Sequence, residues 1–218
     1  MPTLYNQIAN QNLDRLAALS DGLFAFAMTL LVLDLRIPAR EAIHSEHGLA
    51  AALVALTPRL VMYLMSFLTL GIFWNGQQTQ LNHFSGTNRD LTWIHLAFLA
   101  CITFFPFSTQ LLAEFIRYRT ALLIYWFNIF MAGLILYLSL RYARRNDLLK
   151  DDLPLEIRRA MRRRIIFAQG WYALGALLCF IDTYLSIAFI FLVQLNYAIA
   201  PRIPKRWRSE ADDGPSNS

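Results

Sequence analysis

The 218-residue chain is 56% hydrophobic and 14% aromatic, with 16% charged residues and positive mean hydropathy; this excludes a soluble or disordered chain and points to an integral membrane protein. Its net charge of +5, from 20 Lys and Arg against 15 Asp and Glu, falls between apolar segments, so it reports membrane topology before any nucleic-acid partner. The two cysteines, Cys101 and Cys179, both lie within apolar segments, where a thiol is an inert small hydrophobe and neither a disulfide nor a metal site is expected.

A polar leader, residues 1–14, precedes a first apolar span at 16–37, and nothing in that span resembles a cleavable signal peptide. Further spans are predicted at 57–81, 91–115, 120–141, 164–181 and 184–200. The last two are short and meet at Asp182-Thr183, as a tight helical hairpin. The fold expected is all-α and polytopic, with six transmembrane helices over residues 15–200. Placing the N- and C-termini inside puts 15 of the 20 basic residues on the cytoplasmic side, as the positive-inside rule requires.

Between the spans, the loop 38–50 carries Pro38, His44 and His47, and the second helix is expected to begin before the bilayer, near Leu49. His44 and His47 have a metal-compatible spacing but no third ligand, so a solvated loop is the better reading. Pro106 in the third span predicts a kink. Residues 142–163 form a charged cytoplasmic linker, expected to be helical from about Leu155, and 201–218 have the composition of a disordered tail. The cluster Arg158–Arg164 reads as snorkelling at the inner leaflet, with anionic-lipid binding as a second reading. Trp93, Tyr118, Tyr125, Trp126, Trp171, Tyr172 and Trp207 are expected to anchor at the interfaces. Glu114 and Asp182 are expected at the outer rim, attracting cations or capping helices. No hydrolase or nucleotide-binding motif is present, so no enzyme activity and no cofactor are expected.

The first span carries polar groups that an inert anchor lacks. Its uninterrupted apolar core, Gly22 to Leu33, is 12 residues. At ~1.5 Å per residue that is far short of a ~30 Å hydrocarbon layer, so Arg15, Ser20, Asp21 and Asp34 are drawn toward the bilayer edge. With ~100° per residue, Arg15, Leu19, Gly22, Phe26, Thr29, Leu30 and Leu33 share one stripe, while Ser20 and Asp21 point elsewhere. Asp21 is therefore expected to pack within its own subunit, against donors at the inner end of the second span: Trp74, Asn75, Gln77, Gln78, Asn82 and His83. The stripe is either a helix-packing face or the wall of a pore. A pore requires several copies around an axis, because one such helix cannot enclose it.

Arg15, Leu19-Ser20-Asp21 and Thr29, followed by Leu30-Leu31-Val32-Leu33-Asp34-Leu35, resemble the RxxxFSD…T signature of the transmembrane protein 175 family of potassium channels. Trp74 near the inner end of span two and the stretch Pro106 to Leu112 in span three extend the likeness over roughly 13–200. The resemblance implies a homotetrameric potassium-permeable channel, a prokaryotic-type plasma-membrane protein whose first helices line a central pore. It implies that Phe26 forms the hydrophobic constriction, with Leu30 and Leu33 also facing the pore, and that Thr29 bears the hydroxyl linked to potassium preference. Arg15, Leu19, Ser20, Asp21, Trp74 and Gln77 would form the network that holds the helix. Permeant K+ is the one ion implied, and no other metal. This chain departs from the family pattern in Leu19 for Phe, in Gln77 and Gln78 where histidines are common, and in Phe26 for an aliphatic gate. The rival function is a secondary transporter moving protons or small cations through Asp21, although no two matching halves are visible. A third is an assembly or sensor module without flux, with the cationic linker as its partner site.

Overall fold

The computed structural model describes residues 13–36, 39–40, 43–151 and 153–199. The predicted leader and tail lie outside them, apart from Leu13 and Asp14, as do Pro38 and Trp207. Helix α1 spans Leu13–Leu31 and ends in a 3-10 turn, Val32–Asp34. A short α2, Glu46–Ala55, leads directly into α3, Thr57–Asn82. Next come α4 (Arg89–Thr103), α5 (Phe105–Glu114) and α6 (Arg119–Arg145). Helix α7 (Leu155–Leu177) closes in a 3-10 turn before α8 (Thr183–Ile199).

Local chemistry fixes these boundaries. Ser45, Asn88 and Asp182 each accept a hydrogen bond from the backbone three residues on, capping α2, α4 and α8. The predicted kink is a break: α4 stops at Thr103 and α5 restarts at Phe105, with Pro106 in the new first turn, where its missing N–H costs nothing. His44 lies just before the Ser45 cap and His47 in the first turn of α2, and the described residues hold no group of metal ligands.

Among the described residues, four segments are long and apolar enough to cross a membrane: Leu13–Asp34, Thr57–Asn82, Arg89–Glu114 and Arg119–Arg145. The predicted fifth and sixth spans meet at the expected turn, where Asp182 caps the helix that starts at Thr183, but the first arm is longer than the predicted 164–181. Helix α7 begins at Leu155, as expected, but runs without interruption from the charged linker into the apolar segment, so Arg158–Arg164 lie within it. Helix α8 is a separate apolar helix of 17 residues. The two pack closely at Gly175, where an added Cβ would stand 2.7 Å from Ile190 and where Ser186 Oγ donates to the Gly175 carbonyl at 2.6 Å.

Lipid is as apolar as leucine, so tight packing and internal hydrogen bonds must hold such a bundle together. Aromatic rings supply much of the packing: Phe24 meets Phe98, Phe98 meets Phe73, Phe73 meets Phe105, and Phe105 meets Tyr125, at centroid distances of 6.1, 6.2, 6.1 and 6.1 Å. Beside them runs a buried hydroxyl network. Thr109 Oγ1 donates to Ser66 Oγ, Ser66 Oγ to Tyr125 OH, and Gln194 Nε2 to Thr69 Oγ1, while the Thr69 hydroxyl also pairs with Tyr125. These bonds tie α3, α5, α6 and α8. They correct the interfacial reading of two tyrosines: Tyr125 is buried in this network and Tyr172 is buried in the core, whereas Trp93, Tyr118 and Trp171 are exposed.

The bundle has two chemically distinct ends. At one, the start of α1, the end of α3, the start of α4, the end of α6 and the start of α7 share a second core around Leu81, Phe84, Leu140, Leu149 and Met161. There the loop after α6 is pinned to the loop after α3: Ser85 N donates to Leu148 O, and Lys150 N to His83 O. At the other end Arg59 bridges Asp34 at 3.4 Å and Glu114 at 2.5 Å. Glu114 thus pairs with a cation of its own subunit, and Asp182 acts as a helix cap.

Candidate functional site

Helix α1 has two sides. Leu16, Ser20, Phe24, Ala27 and Leu31, spaced three or four residues apart, are buried against α3, α4 and α5. Opposite them, Arg15, Ala18, Leu19, Gly22, Ala25, Phe26, Thr29, Val32 and Leu33 are left uncovered by the subunit. Phe26 is 59% exposed and Leu33 71%, so the predicted stripe is not a packing face within one chain. Leu30 departs from the rest: it sits at the stripe's edge, half-buried. At ~100° per residue the middle of the uncovered arc falls at Gly22 and Thr29 rather than at Phe26. An added Cβ at Gly22 would meet nothing within 4 Å. The Thr29 hydroxyl donates to the Phe26 carbonyl at 2.8 Å, which spends its proton on the helix and leaves its oxygen lone pairs free.

The polar residues of the first two turns are wired separately. Asp21 Oδ1 accepts from Trp74 Nε1 at 2.8 Å and from Gln78 Nε2 at 2.5 Å, both on α3. Asp21 is itself exposed, at the edge of the uncovered arc, and these two charge-assisted bonds tie its carboxylate to the neighbouring helix. Asn75, Asn82 and His83 make no side-chain bond to it, and no ion pair joins it to Arg15, which is exposed. Ser20, fully buried, turns the other way: its hydroxyl bonds the Leu16 carbonyl and His95 Nε2, each at 2.8 Å. Gln77 Nε2 lies 3.1 Å from the same ring nitrogen.

One sequence-based assignment changes as a result. Gln77, expected to brace Asp21, is buried beside His95 instead, and the adjacent Gln78 braces the carboxylate. Two consecutive residues on a helix lie ~100° apart, so only one of them can face α1's outer edge. His95 itself was not anticipated. Its signal was a lone imidazole seven residues into α4, in Trp93-Ile94-His95-Leu96, where only a partner on another helix makes its burial affordable. Leu19 is uncovered, so replacing a phenylalanine there costs the subunit no internal packing.

An all-helical chain with four membrane-length helices and polar groups spaced along one of them is a polytopic membrane protein, and its likeness to known chains narrows the class. Residues 15–106 match the family described as endosomal/lysosomal potassium channel TMEM175. A potassium channel of Chamaesiphon minutus is 30% identical over 190 residues, 85% of this chain and 93% of that protein. The human endosomal/lysosomal proton channel TMEM175 is 30% identical over 109 residues, 48% of this chain but 22% of that protein. Among solved structures, a lysosomal potassium-selective channel TMEM175 homolog from Chamaesiphon minutus aligns with a TM-score of 0.75 at 26% identity, covering 86% of this chain and 96% of that one. The chain belongs to the TMEM175 family.

Proposed function

We propose that this chain is a subunit of a potassium-permeable channel in which four copies set α1 around a common axis. The single observation that carries the reading is the uncovered arc of α1: Gly22 and Thr29 lie at its centre, with Leu19, Phe26 and Leu33 beside them. Hydrocarbon gives no partner to the Thr29 oxygen, whereas water or a dehydrating cation does. Phe26, with Leu33 beyond it, forms the hydrophobic constriction, and Leu30 contributes its edge. Thr29, one turn past Phe26, offers a ring of four hydroxyl oxygens. Asp21 and Ser20 fix the rotation of α1 so that this arc faces the axis. Six spans, with both termini at the basic end and that end in the cytoplasm of a plasma membrane, complete the topology.

The reading is tested by flux from potassium-loaded liposomes containing the full chain. Passive, non-saturating potassium efflux exceeding sodium efflux is expected. Phe26→Ala should raise resting flux several-fold, and Thr29→Val, which keeps the shape and removes the hydroxyl, should lower the potassium-to-sodium ratio. A dye for internal pH runs alongside, because animal relatives are named proton channels. Saturating flux coupled to protons and abolished by Asp21→Asn would instead identify a transporter. Unchanged flux in both Phe26→Ala and Thr29→Val would remove α1 from the permeation path.

A further inference from the structure

Away from α1, the end of α6 and the start of α7 line a partly open pocket of about 270 Å³. Since a water occupies ~30 Å³ of liquid, the space exceeds what a few ordered waters need. Arg141 and Arg144 of α6 and Arg158, Arg159 and Arg162 of α7 converge on it with Tyr137, and among the described residues no carboxylate lines it. Among the described residues none of these five arginines forms an ion pair.

Topology alone explains basic residues at this end of the bundle, but not their gathering around one concavity, where like charges repel. Position sharpens the point. The C-terminus of α6 welcomes the cations of its last turns, yet Arg158 and Arg159 stand in the first turns of α7, where the helix dipole favours an anion instead. Arg158 is held in place by donating from Nε to the Leu153 carbonyl at 3.1 Å. Apolar walls complete the pocket: Leu140, Leu149 and Leu155 line it, and Leu155 is 65% exposed. Leu149 is fixed by the backbone pairing that pins its loop to the loop after α3.

We propose that this pocket holds the phosphodiester headgroup of an anionic phospholipid, the arginines taking the phosphate oxygens and the leucines the glycerol and first acyl carbons. The mixed lining favours an amphiphile over a free inorganic anion, which has no use for leucine walls. The inference rests on the chain lying in a bilayer and not on what it conducts, so a flux assay can fail while lipid binding holds, and the reverse.

Native mass spectrometry of the full chain, released from mixed phosphatidylglycerol and phosphatidylcholine, tests it. Retained phosphatidylglycerol, in excess over phosphatidylcholine, is expected on the wild-type chain. Arg159→Gln should weaken that retention about fivefold, and Arg158→Gln/Arg159→Gln/Arg162→Gln should abolish the preference. Arg163→Gln, an equal change of charge on an exposed residue outside the pocket, should leave it intact. Should the triple variant fail to fold, Arg159→Gln against Arg163→Gln decides the matter. No wild-type preference, or equal losses in Arg159→Gln and Arg163→Gln, overturns the proposal. Displacement of the lipid by millimolar inorganic phosphate also overturns it, assigning the pocket to a free anion.

Discussion

Helices α1 and α6 are both membrane-length and strongly apolar, yet the sides they leave uncovered differ. Between Ala121 and Leu140 the exposed side chains of α6 are Ile124, Phe127 and Leu138, all apolar, as a surface against lipid tails requires, and its exposed polar residues, Arg119, Thr120, Arg141, Arg144 and Arg145, stand at the two ends. On α1 the uncovered side interleaves Leu19, Phe26 and Leu33 with Gly22, Thr29 and the edge residue Asp21. Average apolarity is therefore a poor guide to what a span faces. What distinguishes the two is whether the unpaired side carries groups that hydrocarbon cannot satisfy.

The packed side of α1 sets the orientation of the uncovered one, so its loss is the largest break available. Phe24→Ala removes a 1%-exposed ring packed at a tilt against Phe98 and should cost about 3–5 kcal/mol, read as loss of the monodisperse species in size-exclusion chromatography and a lower detergent Tm. An unchanged Tm would mean that α1 is not anchored through this ring.

Next in size is the brace. Asp21→Ala leaves Trp74 Nε1 and Gln78 Nε2 without their acceptor and should destabilise by about 1–3 kcal/mol. Asp21→Asn retains an accepting oxygen and should lose clearly less. Equal loss in the two would show that the charge, rather than the hydrogen-bond geometry, holds the helix.

The comparison itself is tested by placing one polar residue on each uncovered arc. Phe127→Asn on α6 puts an amide against hydrocarbon and should lower membrane-inserted yield, consistent with a cost of about 0.5–2 kcal/mol. Phe26→Asn on α1 should insert as well as the wild type. If both fall together, the α1 arc faces lipid. Smallest is Arg59→Gln, which removes the partly exposed pairs with Asp34 and Glu114 and should cost about 0.2–1 kcal/mol, seen as a small Tm shift that disappears at high salt.

Much of the helical frame was legible in the chain because each signal is local. The first four spans follow from long, mainly apolar runs, and the break in the third from Pro106, while the helix expected from about Leu155 is α7. The end of the bundle was harder to read. An apolar run beginning after Arg164 looks like a new span, but helical geometry continues through arginines whenever nothing breaks it, so charge marked no boundary there.

In the candidate site, angular spacing turned Asp21 away from the stripe's centre and toward α3, and placed Phe26, Thr29 and Leu33 on one face, which the fold leaves uncovered. It could not choose Gln78 over Gln77, nor find His95, because those choices depend on how α3 and α4 rotate against α1. The buried hydroxyl network of Ser66, Thr69, Thr109, Tyr125 and Gln194 was invisible for the same reason.

By itself the sequence determined that the chain is helical and built for a bilayer, where its helices begin, and that its first helix carries polar groups on a hydrophobic body. Those properties follow from residues within a few turns of one another. Only the tertiary structure decided which donors meet Asp21 and Ser20, which side of α1 stays uncovered, and that five arginines from two helices share one pocket. Each of these is a contact between distant segments, and the rotation of one packed helix against another is set by side chains that no local pattern contains.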